Sequence, residues 1–155
     1  MIKLQSVNTN KLSSDLIKKI CYLKNNFWNF GINNQINWFK TNVQKNDVHN
    51  LFYYKNYLIG YSMLRNRKTI KGKKKYLQLD TVIIHKKFQN NDYSYILMNF
   101  NNLIINKNNK KTFLICKKNL VKFYKKFKWK EISKNSFKAI DCKPSYCMMT
   151  FDEYK

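Results

Sequence analysis

The chain has 155 residues, of which 31 are Lys or Arg and only 8 are Asp or Glu, so its formal net charge at pH 7 is +23. Hydrophobic residues make up 44%, which is enough to form the core of a single domain spanning residues 1–155. No segment approaches the ~20 apolar residues of a membrane helix, and the N-terminus lacks the apolar core of a signal peptide. We therefore expect a cytoplasmic protein that does not enter a membrane.

The positive charge comes almost entirely from lysine, since Arg65 and Arg67 are the only arginines. Asn, Ile, Phe and Tyr are abundant while there are only 3 Gly and 1 Pro, a composition typical of AT-rich coding. Proteins that read nucleic acid favour arginine, whose planar fork contacts bases and phosphates bidentately. The charge thus predicts weak, salt-sensitive binding to polyanions rather than a dedicated nucleic-acid site. The shortage of carboxylates disfavours cationic substrates and favours an anionic partner.

Hydrophobic periodicity predicts the elements of the first half of the chain. A strand at 2–7 precedes a helix whose apolar residues recur every three or four positions, with Asn10 or Ser13 as its cap. A second helix is predicted at 33–42, followed by a hairpin of strands 49–54 and 57–64 that turns at Lys55 and Asn56. Residues 68–75 are predicted as a solvated basic loop with a turn at Gly72.

The second half begins with a predicted strand at 76–85, a polar turn at 89–92 and a helix. The apolar stripe of this helix is predicted to contain Ile96, Leu97, Phe100, Leu103 and Ile104. A strand at 112–116, a short helix at 120–126 and strands at 129–132 and 146–151 follow. The order β-α-α-β-β-β-α-β-α-β-β predicts a mixed α/β (α+β) fold, in which one central sheet has helices on both faces.

The cysteines do not form a metal motif. Cys21, Cys116, Cys142 and Cys147 include no Cys-x-x-Cys pair, and neither His49 nor His85 stands at a zinc-like spacing. We predict free thiols in a reducing compartment and no bound metal.

The segment from the fourth predicted strand into the following helix has the order strand, polar loop, helix start, which presents backbone N–H groups to a phosphate. Its six loop positions resemble the acyl-CoA pyrophosphate loop of the GNAT superfamily of N-acetyltransferases, although both usual glycines are replaced. Asn and Asp tolerate left-handed backbone best after Gly, so the turn remains possible. Asp92 is expected to cap the helix and to weaken coenzyme binding. The six loop residues are Gln89, Asn90, Asn91, Asp92, Tyr93 and Ser94.

A second resemblance to the same superfamily lies at Phe123-Tyr124, which matches the aromatic pair of its closing signature. Lys128 stands at the usual glycine and Trp129 at the usual aromatic residue. The resemblance implies a GNAT-like sheet and acetyl-CoA as co-substrate. It also implies that Tyr124 protonates the departing thiolate and that Asn119 contacts the coenzyme. The coenzyme would lie beside the strand residues Val82, Ile83 and Ile84 and place its pyrophosphate on the six loop residues.

Two residues are candidates for the base that accepts the amine proton. Asp80 lies near the position at which many GNAT proteins have a glutamate, and the alternative is a structural aspartate bonded to a neighbouring hydroxyl or lysine. Strand alternation predicts Asp80, Val82 and Ile84 on one sheet face and Thr81, Ile83 and His85 on the other. His49 is the second candidate if it faces the acceptor cleft; otherwise it is a surface or cap histidine.

These observations predict a monomeric or homodimeric acyl-CoA-dependent N-acetyltransferase. Its acceptor is predicted to be the primary amine of a small, anionic molecule such as a nucleotide-linked amino sugar. Two alternatives remain open. The loss of the glycines suits a non-catalytic GNAT-fold binding module, and the high charge with interleaved Tyr, Phe and Lys at 119–130 suits a basic nucleic-acid-binding protein.

Overall fold

A computed structural model describes residues 1–68, 74–137 and 142–151. The predicted loop at 68–75 falls largely outside these residues, and its turn at Gly72 is not among them. Within the described part no helix is long and apolar enough to cross a membrane. The elements follow the predicted order: β1 Ile2–Asn8, α1 Ser14–Asn25, α2 Ile32–Asn42, β2 Val48–Tyr54, β3 Tyr57–Lys68, β4 Lys75–Ile84, α3 Tyr93–Asn108, β5 Thr112–Lys117, α4 Val121–Lys125, β6 Trp129–Ile132 and β7 Tyr146–Phe151.

The strands form one mixed sheet in the order β1-β2-β3-β4-β5-β7-β6. Its neighbouring strands are antiparallel except for β4 and β5, which run parallel and pair only at Leu77 with Thr112 and Gln78 with Phe113. Beyond these two pairs the strands diverge, so Leu79–Ile84 of β4 has no partner on the β5 side. We call this gap the splay. It is the feature of the sheet that positions the site described below.

Local sequence signals account for the start of α1 and for the hairpin between β2 and β3. The Ser13 hydroxyl accepts a hydrogen bond from the Leu16 N–H at 3.2 Å, which selects Ser13 over Asn10 as the cap of α1. Lys55 and Asn56 both adopt left-handed backbone, with φ of 46° and 68°. Such a two-residue turn matches the right-handed twist of antiparallel strands.

Each face of the sheet carries its own apolar core. On one face α1 and α2 bury Ile20, Leu23 and Phe39 against Tyr61 and Ile83 of the sheet. On the other face, α3 and the region around α4 pack against the sheet; the cluster there includes Leu79, Met98, Ile105, Leu114, Val121, Phe127 and Trp129. The two-faced α/β arrangement predicted from the element order is thereby confirmed.

The buried face of α3 differs from the predicted stripe. Leu97 is buried as predicted, but Leu103 is 49% exposed, and Met98, Asn101 and Ile105 are buried although they were not in the predicted stripe. Asn101 lies at the centre of this face because its side-chain oxygen accepts hydrogen bonds from two buried donors on the sheet, the Asn50 amide and the Ser62 hydroxyl. A buried polar network therefore sets the rotation of the helix.

A β-bulge at Thr81 contradicts the predicted alternation along β4. In the β3–β4 ladder Met63 pairs with Asp80 and Ser62 pairs with Val82, so Thr81 is an extra residue, with φ of 62°. One inserted residue reverses the side on which all later side chains lie. Leu79 and Ile84 consequently both pack towards α3, whereas Ile83 packs towards α1 and α2.

Candidate active site

The splay opens into a cleft of about 940 Å³. Strand β4 contributes Asp80, Thr81 and Val82 to its wall, and β5 contributes residues 115–117. An unpaired strand edge offers backbone N–H and C=O groups to an extended ligand that itself contains amides. The remaining lining residues come from α1, α2, the loop between them, the region of α4 and the start of β7: Lys24, Trp28, Phe30, Asn34, Gln35, Trp38, Asn119, Leu120, Tyr124 and Tyr146.

Tyr124, the predicted acid, lies in the wall of this cleft. Helix α4 holds its ring edge-on to Phe123, with 5.2 Å between ring centroids, and 6.4 Å from the ring of Trp129. Burial raises the pKa of the Tyr124 phenol well above its usual value, and Cys116 adds to the effect. Among the described residues no group hydrogen-bonds its hydroxyl. The cleft therefore contains a neutral phenol that is free to donate to a developing negative charge.

Asp80, the first candidate for the base, lies in the same cleft with 27% of its side chain exposed. One carboxylate oxygen accepts a hydrogen bond from Arg65 Nη1 at 3.2 Å, and the other accepts one from Thr81 Oγ1 at 3.3 Å. Each carboxylate oxygen has two lone pairs, so each can accept a further hydrogen bond from a ligand, and the carboxylate can take up one proton. The structure thus combines access to the cleft with the hydroxyl partner expected of a structural aspartate.

His49, the second candidate, is not brought to the cleft. Its side chain is fully buried, with Nε2 2.8 Å from Thr9 Oγ1 and Nδ1 2.8 Å from the Tyr61 hydroxyl. The rings of Phe39 and Tyr61 stack on it. Burial lowers its pKa to about 4, with a contribution from Lys24. In contrast to both expectations, His49 neither faces the acceptor cleft nor caps an element at the surface, because β2 lies between β1 and β3, and α1 and α2 cover this face of the sheet.

The loop between β4 and α3 leaves a run of backbone amides without acceptors. Gln89 Nε2 donates to the Ile84 carbonyl at 3.1 Å and ties the loop to the strand end. Asn90 adopts φ of 66°, the left-handed conformation that a glycine would otherwise supply. Asp92 occupies the N-cap position, but its side chain caps no amide. Within the described part of the chain, the N–H groups of residues 91–94 donate no hydrogen bond, so they remain available at the positive end of α3.

The other predicted coenzyme residues have three different surroundings. Val82 and Asn119 line the cleft. The side chains of Ile83 and Ile84 are buried in the core, so only their backbone can contact a ligand. The ring of Tyr93 packs edge-on against that of Phe52 at 5.4 Å and anchors the start of α3.

Asp80 belongs to a cluster of charged residues at the cleft wall whose other members were not predicted as site residues from the sequence. Lys24 is only 5% exposed, and its Nζ lies 4.0 Å from the ring centroid of Trp38. The guanidinium of Arg65 also lies against this ring, at 5.3 Å, and pairs with Asp80. The sequence did indicate that Lys24 is buried, because Lys24 follows Ile20 by four residues and so lies on the same buried face of α1. We refer to Lys24, Trp38, Arg65 and Asp80 as the Lys24 cluster.

Outside the cleft, the described part of the chain contains a further cavity and residues of metal-binding types. A second cavity, of about 920 Å³, is lined mainly by amides and cations such as Asn66, Arg67 and Lys110. Its described lining residues include no carboxylate, histidine or tyrosine that could move a proton. In residues 1–68, 74–137 and 142–151, no group of three His, Cys, Asp or Glu side chains could hold a metal ion.

Comparisons with solved structures show that the chain has the fold of the GNAT acyl-CoA N-acyltransferases. It is similar to Escherichia coli ElaA, with a TM-score of 0.75 and 15% identity over 98% of this chain and 100% of that one. It is also similar to an acyl-CoA N-acyltransferase from Pseudomonas aeruginosa, with a TM-score of 0.73 and 8% identity over 97% of this chain and 99% of that one. For an aminoglycoside 6'-N-acetyltransferase complexed with coenzyme A, the TM-score is 0.66 and the identity is 10% over 95% of this chain and 96% of that one. No protein-family model and no curated protein matches the sequence.

Proposed function

We propose that the protein is an acyl-CoA-dependent N-acetyltransferase, which moves an acetyl group from acetyl-CoA to a primary amine. The observation that carries this proposal is the cleft in the β4–β5 splay. There an unpaired strand edge and the hydroxyl of the half-buried Tyr124, unpartnered among the described residues, lie together in a fold shared with acyl-CoA N-acyltransferases. The four cysteines are unpaired, which suits action in the reducing cytoplasm.

In this proposal the coenzyme spans the splay and the loop after β4. The amide-containing pantetheine arm pairs with the edge of Val82–Ile84, where β5 has moved away. The pyrophosphate accepts hydrogen bonds from the amides of residues 91–94, with Gln89 and Asn90 shaping the loop. Lysine side chains close to the two ends of the arm supply positive charge: Lys86, Lys87, Lys117 and Lys118. Asn119 reaches the arm from the cleft wall.

The proposed reaction is a direct transfer between bound substrates. The amine nitrogen attacks the thioester carbonyl, so a C–N bond forms and the C–S bond breaks. Asp80 takes the proton that the amine loses, and the Tyr124 hydroxyl gives its proton to the departing sulfur, which leaves as the coenzyme thiol. Asp80 then releases its proton to solvent and Tyr124 regains one from solvent. Because burial raises the pKa of Tyr124, the phenol is still protonated when the thiolate forms.

The acceptor in this proposal is small and anionic, such as a nucleotide-linked amino sugar. Among the described residues that line the cleft Asp80 is the only carboxylate, and Arg65 already pairs with it. A polycationic acceptor needs several unpaired carboxylates, because like charges raise the free energy of association. We therefore do not extend the aminoglycoside acceptor of one structural neighbour to this chain. We expect the protein to act as a monomer or homodimer.

The test is acetyl transfer from acetyl-CoA to a panel of small amines, followed by mass spectrometry of the amine products. Replacing Tyr124 by Phe removes the hydroxyl and keeps the ring. We expect kcat to fall about 10²-fold or more, the usual contribution of a general acid. Tyr95→Phe is the matched control, because Tyr95 is exposed and does not line the cleft. An absence of acetylated product from every amine would favour a non-catalytic binding module.

A further inference from the structure

Lys24 combines burial with access to the cleft. Its side chain is 5% exposed, yet the residue lines the cleft wall. Its ammonium lies over the ring of Trp38, and among the described residues no carboxylate pairs with it and no group accepts its hydrogen bonds. An ammonium has three N–H donors, and burying it without acceptors is costly. These donors are therefore available to a ligand in the cleft.

The charges around Lys24 leave one positive charge uncompensated. Arg65 donates to Asp80 at 3.2 Å and to the Asn42 carbonyl at 2.8 Å, so the single carboxylate of the Lys24 cluster is already paired with the arginine. Burial lowers the pKa of the Lys24 ammonium, while the charge of Asp80 acts in the opposite direction. The cluster thus contains two cations and one anion. A second anion, brought by a ligand, would complete it.

We infer that Lys24, held against Trp38, is the subsite for an anionic group of the amine acceptor and selects acceptors that carry one. The group is a carboxylate or a phosphate, since both accept charge-assisted hydrogen bonds from an ammonium. This inference rests on the proposed function, because it assigns the acceptor to the cleft in the splay. The preference for anionic acceptors then depends on the Lys24 side chain and not on the net charge of the protein.

The test is calorimetric binding of two matched ligand pairs at physiological salt. Glucosamine 1-phosphate is compared with glucosamine for the phosphate, and L-phenylalanine with L-phenylalaninamide for the carboxylate. We expect wild type to bind the anionic member of one pair more tightly than its neutral partner. Lys24→Met should weaken the anionic member about tenfold to a hundredfold, the usual effect of one charge-assisted hydrogen bond. The neutral member should bind the variant as it binds wild type.

Two further variants make the result specific. Lys19→Met removes a lysine of the same helix whose side chain is 61% exposed and pairs with Asp15 at the surface, so it should bind as wild type does. Lys24→Gln supplies a second neutral replacement if Lys24→Met does not fold. Equal binding of charged and neutral partners by wild type would overturn the inference, as would an unchanged preference in the Lys24 variants.

Acetyl transfer measured on the same proteins separates this inference from the proposed function. Anion binding that depends on Lys24, without transfer to any amine, would contradict the proposed function and still place an anion at Lys24. Transfer whose charge preference is the same in Lys24→Met and wild type would overturn the Lys24 subsite alone.

Discussion

Acid is expected to destabilise the protein through the buried side chain of His49. In the folded state its ring has a pKa of about 4, compared with 6.5 when unperturbed, because burial and the charge of Lys24 disfavour the protonated form. Between pH 6.5 and 4 the unfolded chain binds a proton at His49 that the folded chain does not. The contribution of His49 to the free energy of unfolding is therefore fully present above pH 6.5 and is lost as the pH falls towards 4. The difference corresponds to about 3 kcal/mol.

The measurement is urea unfolding of wild type and two variants between about pH 7.5 and 4.5. In wild type the free energy of unfolding should fall by about 1 kcal/mol per pH unit between about pH 6 and 4.5. His49→Gln cannot titrate and keeps an amide that can hydrogen-bond to Thr9 or Tyr61, so its profile should be nearly flat. His85→Gln removes the other histidine, which is not part of the buried network, and should retain the wild-type slope.

Parallel pH profiles for wild type and His49→Gln would show that His49 is not the group whose titration destabilises the protein. Loss of the slope in His85→Gln would lead to the same conclusion, because the titrating group would then lie on the surface. Carboxylate titration at the acid end is common to all three proteins and cancels in the comparison.

Three further substitutions test other parts of the structure by thermal or urea unfolding. Thr81→Gly should raise the free energy of unfolding by about 1 kcal/mol, because a β-branched residue is strained at positive φ; equal stability of Thr81→Gly and Thr81→Ala would contradict this. Lys24→Met should stabilise the protein by about 1 kcal/mol, because the desolvation of a buried ammonium outweighs its cation–π contact with Trp38; destabilisation would contradict it. Asn101→Ala should cost about 2–3 kcal/mol, because it leaves the two buried donors from the sheet unpaired; a loss well below that would show that buried water replaces the amide.

Element order was predictable because apolar periodicity differs between helices and strands. The cap at Ser13 and the turn at Lys55 and Asn56 were predictable as well, because both depend on local residue chemistry. The left-handed backbone at Asn90 belongs to the same class. The sequence therefore predicted the features that depend only on residues close together in the chain.

The bulge at Thr81 was not predictable, because threonine is among the residues least suited to positive φ. Nothing in the surrounding apolar run marks an extra residue, and a single insertion moved Asp80 and Ile84 to opposite faces. The strain at Thr81 is maintained by the β3–β4 ladder on both sides of it. Thr81 lies in the cleft wall, and backbone strain at such a site is often associated with function.

The candidate site was predictable in part. Tyr124 and Asp80 were found through motif positions, and the structure places both in one cleft. His49 could not be placed, because its burial results from strand pairing and from α1 and α2 packing over the sheet. Lys24 contacts Trp38 on a different helix, and this tertiary contact cannot be read from either helix alone.

In the proposed complex, acetyl-CoA binds in the splay with its pyrophosphate on the amides of residues 91–94. Calorimetric titration of acetyl-CoA into wild type, Ser94→Trp and Asn99→Trp at physiological salt tests this placement. We expect saturable binding by wild type and by Asn99→Trp, which changes an exposed residue further along α3. We also expect loss of binding in Ser94→Trp, where a bulky side chain covers the amides. No binding to wild type, or equal binding by all three proteins, would contradict this placement.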